Sequence, residues 1–198
     1  MPSDAAKVRD PEYPNIRVEV IEAYRNPPPG FDAEIVDGEL FMMPRPAPRH
    51  ATAAVGLTDA ISPAFRRGRG GPGGWIILPE PELELGPRPD LVQPAVAGWR
   101  RERLPTMPDE AAIDVVPDWV CEVMSSSTRR FDRFDKMPMY FRHGVAHAWL
   151  VDPAAKTLEV FRRTADGWLL VLSAGESAVV RAEPFDAIEL DLGALWEW

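Results

Sequence analysis

Short apolar runs bounded by prolines, glycines and Asp-Gly pairs dominate this chain, and helical spacing interrupts them in three places. Residues 17–26 (RVEVIEAYRN) read as a short helix ended by Pro27, Pro28, Pro29 and Gly30. AEIVDGELFMM follows as two strand-like runs around Asp37-Gly38, a pair suited to a tight hairpin turn. A stiff step at Pro44, Pro46 and Pro48 leads into a helix expected over residues 50–61, weakened at Gly56 and stopped near Pro63. Beyond the flexible loop GRGGPGG, the runs WIILP, ELEL and LVQPAVAGW read as short strands of one meander. That loop precedes a strand instead of joining a strand to a helix, so a nucleotide-binding glycine loop is not expected.

Residues 100–114 are a polar connection. WVCEVM after them is almost wholly apolar, the pattern of a central strand buried on both faces. SSST prepares a helix over residues 129–142, with Ser127 or Thr128 as N-cap. HAWLVDP is a further buried strand, TLEVFRR and GWLLVL form a hairpin around Asp166-Gly167, and FDAIELDL is a last strand-like piece before LWEW. This order predicts a mixed α/β (α+β) domain: a central mixed sheet flanked by helices, with an added N-terminal hairpin and a C-terminal hairpin. Residues 1–30 are expected to form an arm with a short helix, and residues 31–198 the domain proper.

Size and composition narrow the classes. A chain of 198 residues can bury a full core, and a lone cysteine, Cys121, builds neither a disulfide framework nor a zinc ribbon. No apolar stretch is long enough for a membrane span, and MPSDAAKVRD lacks the apolar core of a secretory leader, so a cytoplasmic protein without membrane contact is expected. The net charge of -9 argues against non-specific adhesion to nucleic acid. The apolar LWEW end would suit burial in a homodimer.

Glu122 is the most informative residue, because every neighbour in Trp119-Val120-Cys121-Glu122-Val123-Met124 is apolar. A carboxylate in a core strand needs a partner: a metal ion, a reacting group, a buried cation or backbone N–H groups. Its place at the carboxyl end of a strand, before a helix, is where α/β proteins bind ligands. His143 and His147 have zinc-like spacing, but Gly144 between them keeps both from one helix face. SSST lacks the surroundings of a nucleophile elbow; its better use is a helix start that holds a phosphate oxygen, with Ser125, Thr128 and Arg129 as the contacts.

Several stretches carry a family likeness: EIVDGELFMMPRPAPRH, ILPEPELELG, PAVAGWRRERLP and above all DWVCEVMSSSTRRFDRFDKMPMYFRHGVAHAWLVDPAAKTLEVFR. Together they resemble the Uma-type family of putative restriction endonucleases, within the PD-(D/E)xK nuclease superfamily. The resemblance implies a restriction-endonuclease-like domain in which acidic residues hold Mg²⁺ (or Mn²⁺) for hydrolysis of DNA. It makes Glu122 the third-strand carboxylate and Lys136 the lysine, moved from the strand to the next helix. Glu34 and Glu39 match the acidic positions of the hairpin, and His50 the family's histidine. Ser125, Thr128, Asp132 and Tyr140 match the remaining polar landmarks.

One landmark fails. The second-strand Pro-Asp falls on Pro94-Ala95, and an alanine binds no metal. Asp90 is the candidate substitute, although five residues along a strand is about 16 Å and an odd offset points to the other face. Lys136 reads two ways. On a helical wheel it lies opposite Phe131, Phe134 and Phe141 and pairs with Asp132 at the surface, whereas the resemblance places it in the site. Arginines at 66, 67, 69, 100, 101, 103, 129, 130 and 133 are either solvated surface or a phosphate track. The expected function is a metal-dependent DNA endonuclease with Glu122, Lys136, Glu39 and His50 catalytic and Glu122, Asp90 and Glu39 on the metal. The alternative is a nuclease fold without cleavage that binds nucleic acid or protein.

Overall fold

The structure, a computed structural model, describes residues 10–197. Helix α1 (Val18–Arg25) turns Val20 and Ile21 onto Ile35 and Leu91. Strands β1 (Phe31–Val36) and β2 (Glu39–Pro44) form the expected hairpin, and Asp37 and Gly38 take φ of 55° and 77°. Two left-handed residues are what a two-residue turn matched to the strand twist requires. Helix α2 (Pro48–Phe65) opens with a proline in its first turn and runs past Pro63. The proline does not stop it because Ile61, Ala64 and Phe65 are all buried in the core, and their burial outweighs one lost backbone bond.

The predicted single meander is divided between two sheets. Strands β3 (Trp75–Pro79) and β6 (Val96–Arg100) pair with each other, whereas β4 (Glu82–Leu85) and β5 (Asp90–Val92) pair together and reach β1 through Ile35 and Leu91. The chain leaves the first sheet at Pro79-Glu80-Pro81 and returns at Gln93-Pro94. Prolines donate nothing to a ladder, so they mark both crossings. With β7 (Ala112–Ile113) the smaller sheet has the order β2-β1-β5-β4-β7.

The main sheet adds β8 (Trp119–Val123), β9 (His147–Asp152), β10 (Thr157–Arg163) and β11 (Trp168–Gly175), in the order β11-β10-β9-β8-β6-β3. Strand β8 is interior, parallel to β9 and antiparallel to β6, with all five residues buried. Between β8 and β9 runs a composite helix: α3 (Arg129–Phe131), a π-helical segment (Asp132–Lys136) and α4 (Met137–His143). Pro138 sits in the first turn of α4, where its missing N–H is least costly.

One face of the main sheet packs on α2 and the C-terminal segment, where Trp75, Trp119 and Trp149 surround Phe185 with ring centroids at 4.9, 4.8 and 5.7 Å. The other face packs on the smaller sheet and the composite helix through Trp99, Val120, Leu150, Met139 and Tyr140. Of FDAIELDL only Leu190–Asp191 (β13) is strand, paired with β12 (Val179–Val180); Phe185 and Leu192 are held by burial instead. Leu195 and Trp196, expected to seek a partner subunit, are buried within the chain, and Trp196 Nε1 donates to Glu176 O at 2.8 Å. Trp198 lies outside the described residues. Among the described residues no helix is long and apolar enough to cross a membrane.

Candidate active site

Strand alternation sends Cys121 and Val123 to the α2 side and Val120 and Glu122 to the other. There Glu122 meets the composite helix. Glu122 Oε1 accepts the Tyr140 hydroxyl at 2.6 Å and lies 2.8 Å from Lys136 Nζ. Nζ also donates to Glu34 Oε1 at 3.1 Å, and the Gln93 backbone N–H reaches the same oxygen at 3.2 Å. Glu34 Oε2 lies 3.0 Å from Nζ yet accepts no hydrogen bond. Lys136 is 2% exposed, so β1, β8 and the π segment jointly bury one ammonium between two carboxylates.

Asp132, one turn before Lys136, is the third buried acid at this place. Burial pushes Glu34 up to about 7 against the pull of Lys136, with the Glu122 charge adding to the rise. Burial likewise takes Asp132 up to about 8, again with help from Glu122. Burial disfavours the Lys136 ammonium, but Glu122, Glu34 and Asp132 outweigh it and hold its pKa above the usual lysine value. Burial raises Tyr140, and Glu122 adds to it, so the hydroxyl keeps its proton and remains a donor. His50 is pushed down by burial, which makes it neutral, and its buried Nδ1 has no hydrogen-bond partner among the described residues.

These groups line a cleft of about 330 Å³, with Asp32, Arg45 and Glu80 also in its wall. Carboxylate oxygens are the donors a hard divalent cation takes. Glu34 and Glu122 supply them, and Glu34 Oε2 is buried without a donor facing it, so the donor chemistry fits such an ion. The grouping is incomplete: among the described residues no three His, Cys, Asp or Glu side chains stand close enough to hold a metal as placed. The Lys136 ammonium occupies the space between Glu34 and Glu122.

Glu122, Lys136 and His50 are thus brought together, and Thr128 joins them in the wall. Others are not. Glu39 sits two rungs nearer the turn than Glu34, about 7 Å along the strands, on edge strand β2 and exposed. Asp90 belongs to the smaller sheet, where it accepts the Asp37 N–H at 2.7 Å, Arg142 at 2.9 Å and His143 Nε2 at 2.6 Å. Burial would raise its pKa, but those bonds hold it below the usual aspartate value. It cannot stand in for Ala95. Ser125 and Thr128 bond each other's backbone N–H groups in place of an N-cap, and Arg129 turns to Asp152 at 2.5 Å. His143 and His147 face different acids, Asp90 and Glu183. Arg103 and Arg133 are paired with Asp118 and Glu159.

Ala95 itself lies in the cleft wall. Val96 pairs with Cys121, so one step further the register sets Ala95 opposite Glu122. The helical wheel misplaced Lys136 because Phe134 is not on the inward stripe; it is 66% exposed, while Asp132, Lys136 and Tyr140 face inward together. Spacing at i, i+4 and i+8 was the available signal, hidden because two of the three are charged. The importance of Glu34 over Glu39 and the arrival of Glu80 at the cleft had no local signal.

A mixed sheet clasped between helices, with a buried glutamate facing a helical lysine, is shared with solved structures of nuclease type. A putative nuclease belonging to DUF820 from Anabaena variabilis ATCC 29413 matches with a TM-score of 0.67 over 89% of this chain and 96% of its own, at 18% identity. The chain belongs to the Uma2 family, described as putative restriction endonuclease, which matches residues 10–193. Comparison with curated proteins finds no match.

Proposed function

We propose that this chain hydrolyses DNA phosphodiester bonds in the cleft between β1, β8 and the composite helix, using Mg²⁺ or Mn²⁺. The observation that carries the reading is the Glu34–Lys136–Glu122 bridge beside Asp132, three buried carboxylates around one ammonium. Such a group is short of positive charge, and a polyanionic substrate would worsen the shortage without a cation. Glu122 and Glu34 would hold the ion after a side-chain rotation that frees them from Lys136. When bound, a divalent cation lowers the pKa of water and offsets charge on the phosphate. Tyr140 fixes the Glu122 carboxylate through its hydroxyl, and Lys136, once released, presents its ammonium to the phosphate oxygens. His50 offers a neutral Nδ1 that can take a proton. Arg45 at the rim pairs only loosely with Asp32, at 3.4 Å, and is available to the DNA backbone.

The test is nicking of supercoiled plasmid with Mg²⁺ or Mn²⁺. Wild type should cleave, and Glu122→Gln and Lys136→Met should lose on the order of a hundredfold or more in rate. The alanine at position 95 favours a second reading, a nuclease fold that binds without cutting. That reading predicts salt-sensitive DNA binding by wild type and cleavage by Ala95→Asp alone.

A further inference from the structure

The cleft lacks an acid at Ala95, yet one carboxylate outside the family-like set stands beside that gap. Glu80 lies in the turn that carries the chain from β3 to β4. Its backbone N–H donates to Ala95 O at 3.1 Å, and its own carbonyl accepts Gln93 Nε2 at 3.0 Å. Glu80 therefore straddles the segment that would otherwise bear the missing aspartate. Both Glu80 and Ala95 line the acidic cleft, and both also line a neighbouring hollow over Ala51, Ala54 and Val55 of α2. The alanine leaves open the space through which the Glu80 side chain reaches inward.

The turn itself is costly. Glu80 has φ 45°, left-handed for a non-glycine residue, and stands between Pro79 and Pro81. A residue before proline disfavours helical conformations of this kind, so glycine or asparagine would suit the turn better than glutamate. On the far side of the cleft Glu34 Oε2, on a side chain more than nine-tenths buried, has no hydrogen-bond donor. That oxygen points to a missing cation independently of Glu80.

We infer that Glu80 supplies, from the β3–β4 turn, the carboxylate that Ala95 does not, and completes a divalent-cation site with Glu122 and Glu34. This rests on the cation-dependent reading of the cleft proposed above. The acid has moved from the strand to the adjacent turn, while its target position opposite Glu122 is unchanged.

Mn²⁺ binding to the full chain, read as loss of the free-ion electron paramagnetic resonance signal, tests this apart from any activity. Wild type should bind saturably. Glu122→Gln and Glu80→Gln should each weaken binding by about tenfold or more, and Ala95→Asp should restore it in the Glu80→Gln background. Thermal melts confirm folding; Glu80 is exposed in a turn, so its variant should melt as wild type does. If Glu80→Gln binds Mn²⁺ as wild type does while Glu122→Gln does not, Glu80 is no ligand and the cation reading survives. If wild type shows no saturable binding, both the inference and the reading beneath it fall.

Discussion

Two buried acid clusters lie on either side of hairpin β1–β2, and they solve the same physical problem in opposite ways. At the turn end, Asp90 is 2% exposed and accepts hydrogen bonds from Asp37 N–H, Arg142 and His143. Every demand of that carboxylate is met, and its pKa falls below the ordinary value despite burial. At the open end, Glu34 is 6% exposed and shares one ammonium with Glu122 and Asp132, and its pKa rises to about 7. Burial alone therefore does not mark a functional acid. An acid whose surroundings leave it under-neutralised does, because that deficit is what a ligand can remove.

The sharpest break of this contrast is Asp90→Ala. It removes the acceptor that ties the hairpin turn to the end of α4 and should lower stability by about 3 kcal/mol in urea unfolding. Because the Asp90 pKa is depressed, its contribution is present above the unfolded value of 3.8 and lost as pH falls below it. The cost should thus be the same at pH 6 and pH 8. A cost that grew with pH would mean that Asp90 belongs electrostatically to the cleft.

Lys136→Met should do the reverse. At pH 6 Glu34 and Asp132 carry protons and need the ammonium little, since burial places them at about 7 and about 8. At pH 9 both ionise beside Glu122, and the variant should lose about 2 kcal/mol more than at pH 6. Equal losses at both pH values would show that the ammonium matters only as packing.

Which cluster would do what was only partly legible in the chain. The strand around Glu122 announced itself, because an acid among Trp119, Val120, Cys121 and Val123 has no bland explanation in composition. The Asp37-Gly38 hairpin was equally plain, since few residue pairs suit two left-handed positions. Partner choice was not legible. Glu34 meets Lys136 across 102 residues, and no periodicity reports a contact of that separation. Asp90 seemed a rescue for Ala95 because both were assigned to one meander, and the proline crossings at Pro79, Pro81 and Pro94 sent them to different sheets.

A smaller effect sharpens the contrast through pH alone. Glu34 and Asp132 have folded pKa values above their ordinary 4.5 and 3.8. The folded chain then binds more protons than the unfolded one, so their contribution is fully present below about pH 4 and lost as pH rises through 7 and 8. Wild-type melting temperature should fall across this window, with a slope of at most about 1.4 kcal/mol per pH unit for each proton. Asp132→Asn should flatten the decline, and Mn²⁺ should raise stability more at pH 8 than at pH 6, where protons compete for the same oxygens. A wild-type profile already flat from pH 5 to 8 would show that the cleft acids are neutralised without a ligand.

The least effect is expected at Glu39, and it separates the hairpin's two acids most cleanly. Glu34 and Glu39 share a face of β1–β2, since Val36 pairs with Glu39 and faces repeat every second residue. Position along the strands divides them: Glu34 meets Lys136, whereas Glu39 stands exposed near the turn on the edge strand. Glu39→Ala should change stability by less than about 0.5 kcal/mol and leave Mn²⁺ binding untouched, while Glu34→Gln weakens it. Were Glu39→Ala to weaken Mn²⁺ binding instead, the hairpin would have to slide two residues toward the cleft when the ion binds. The Asp90 clamp on Asp37 would then have to open, so the two clusters would be coupled, not independent.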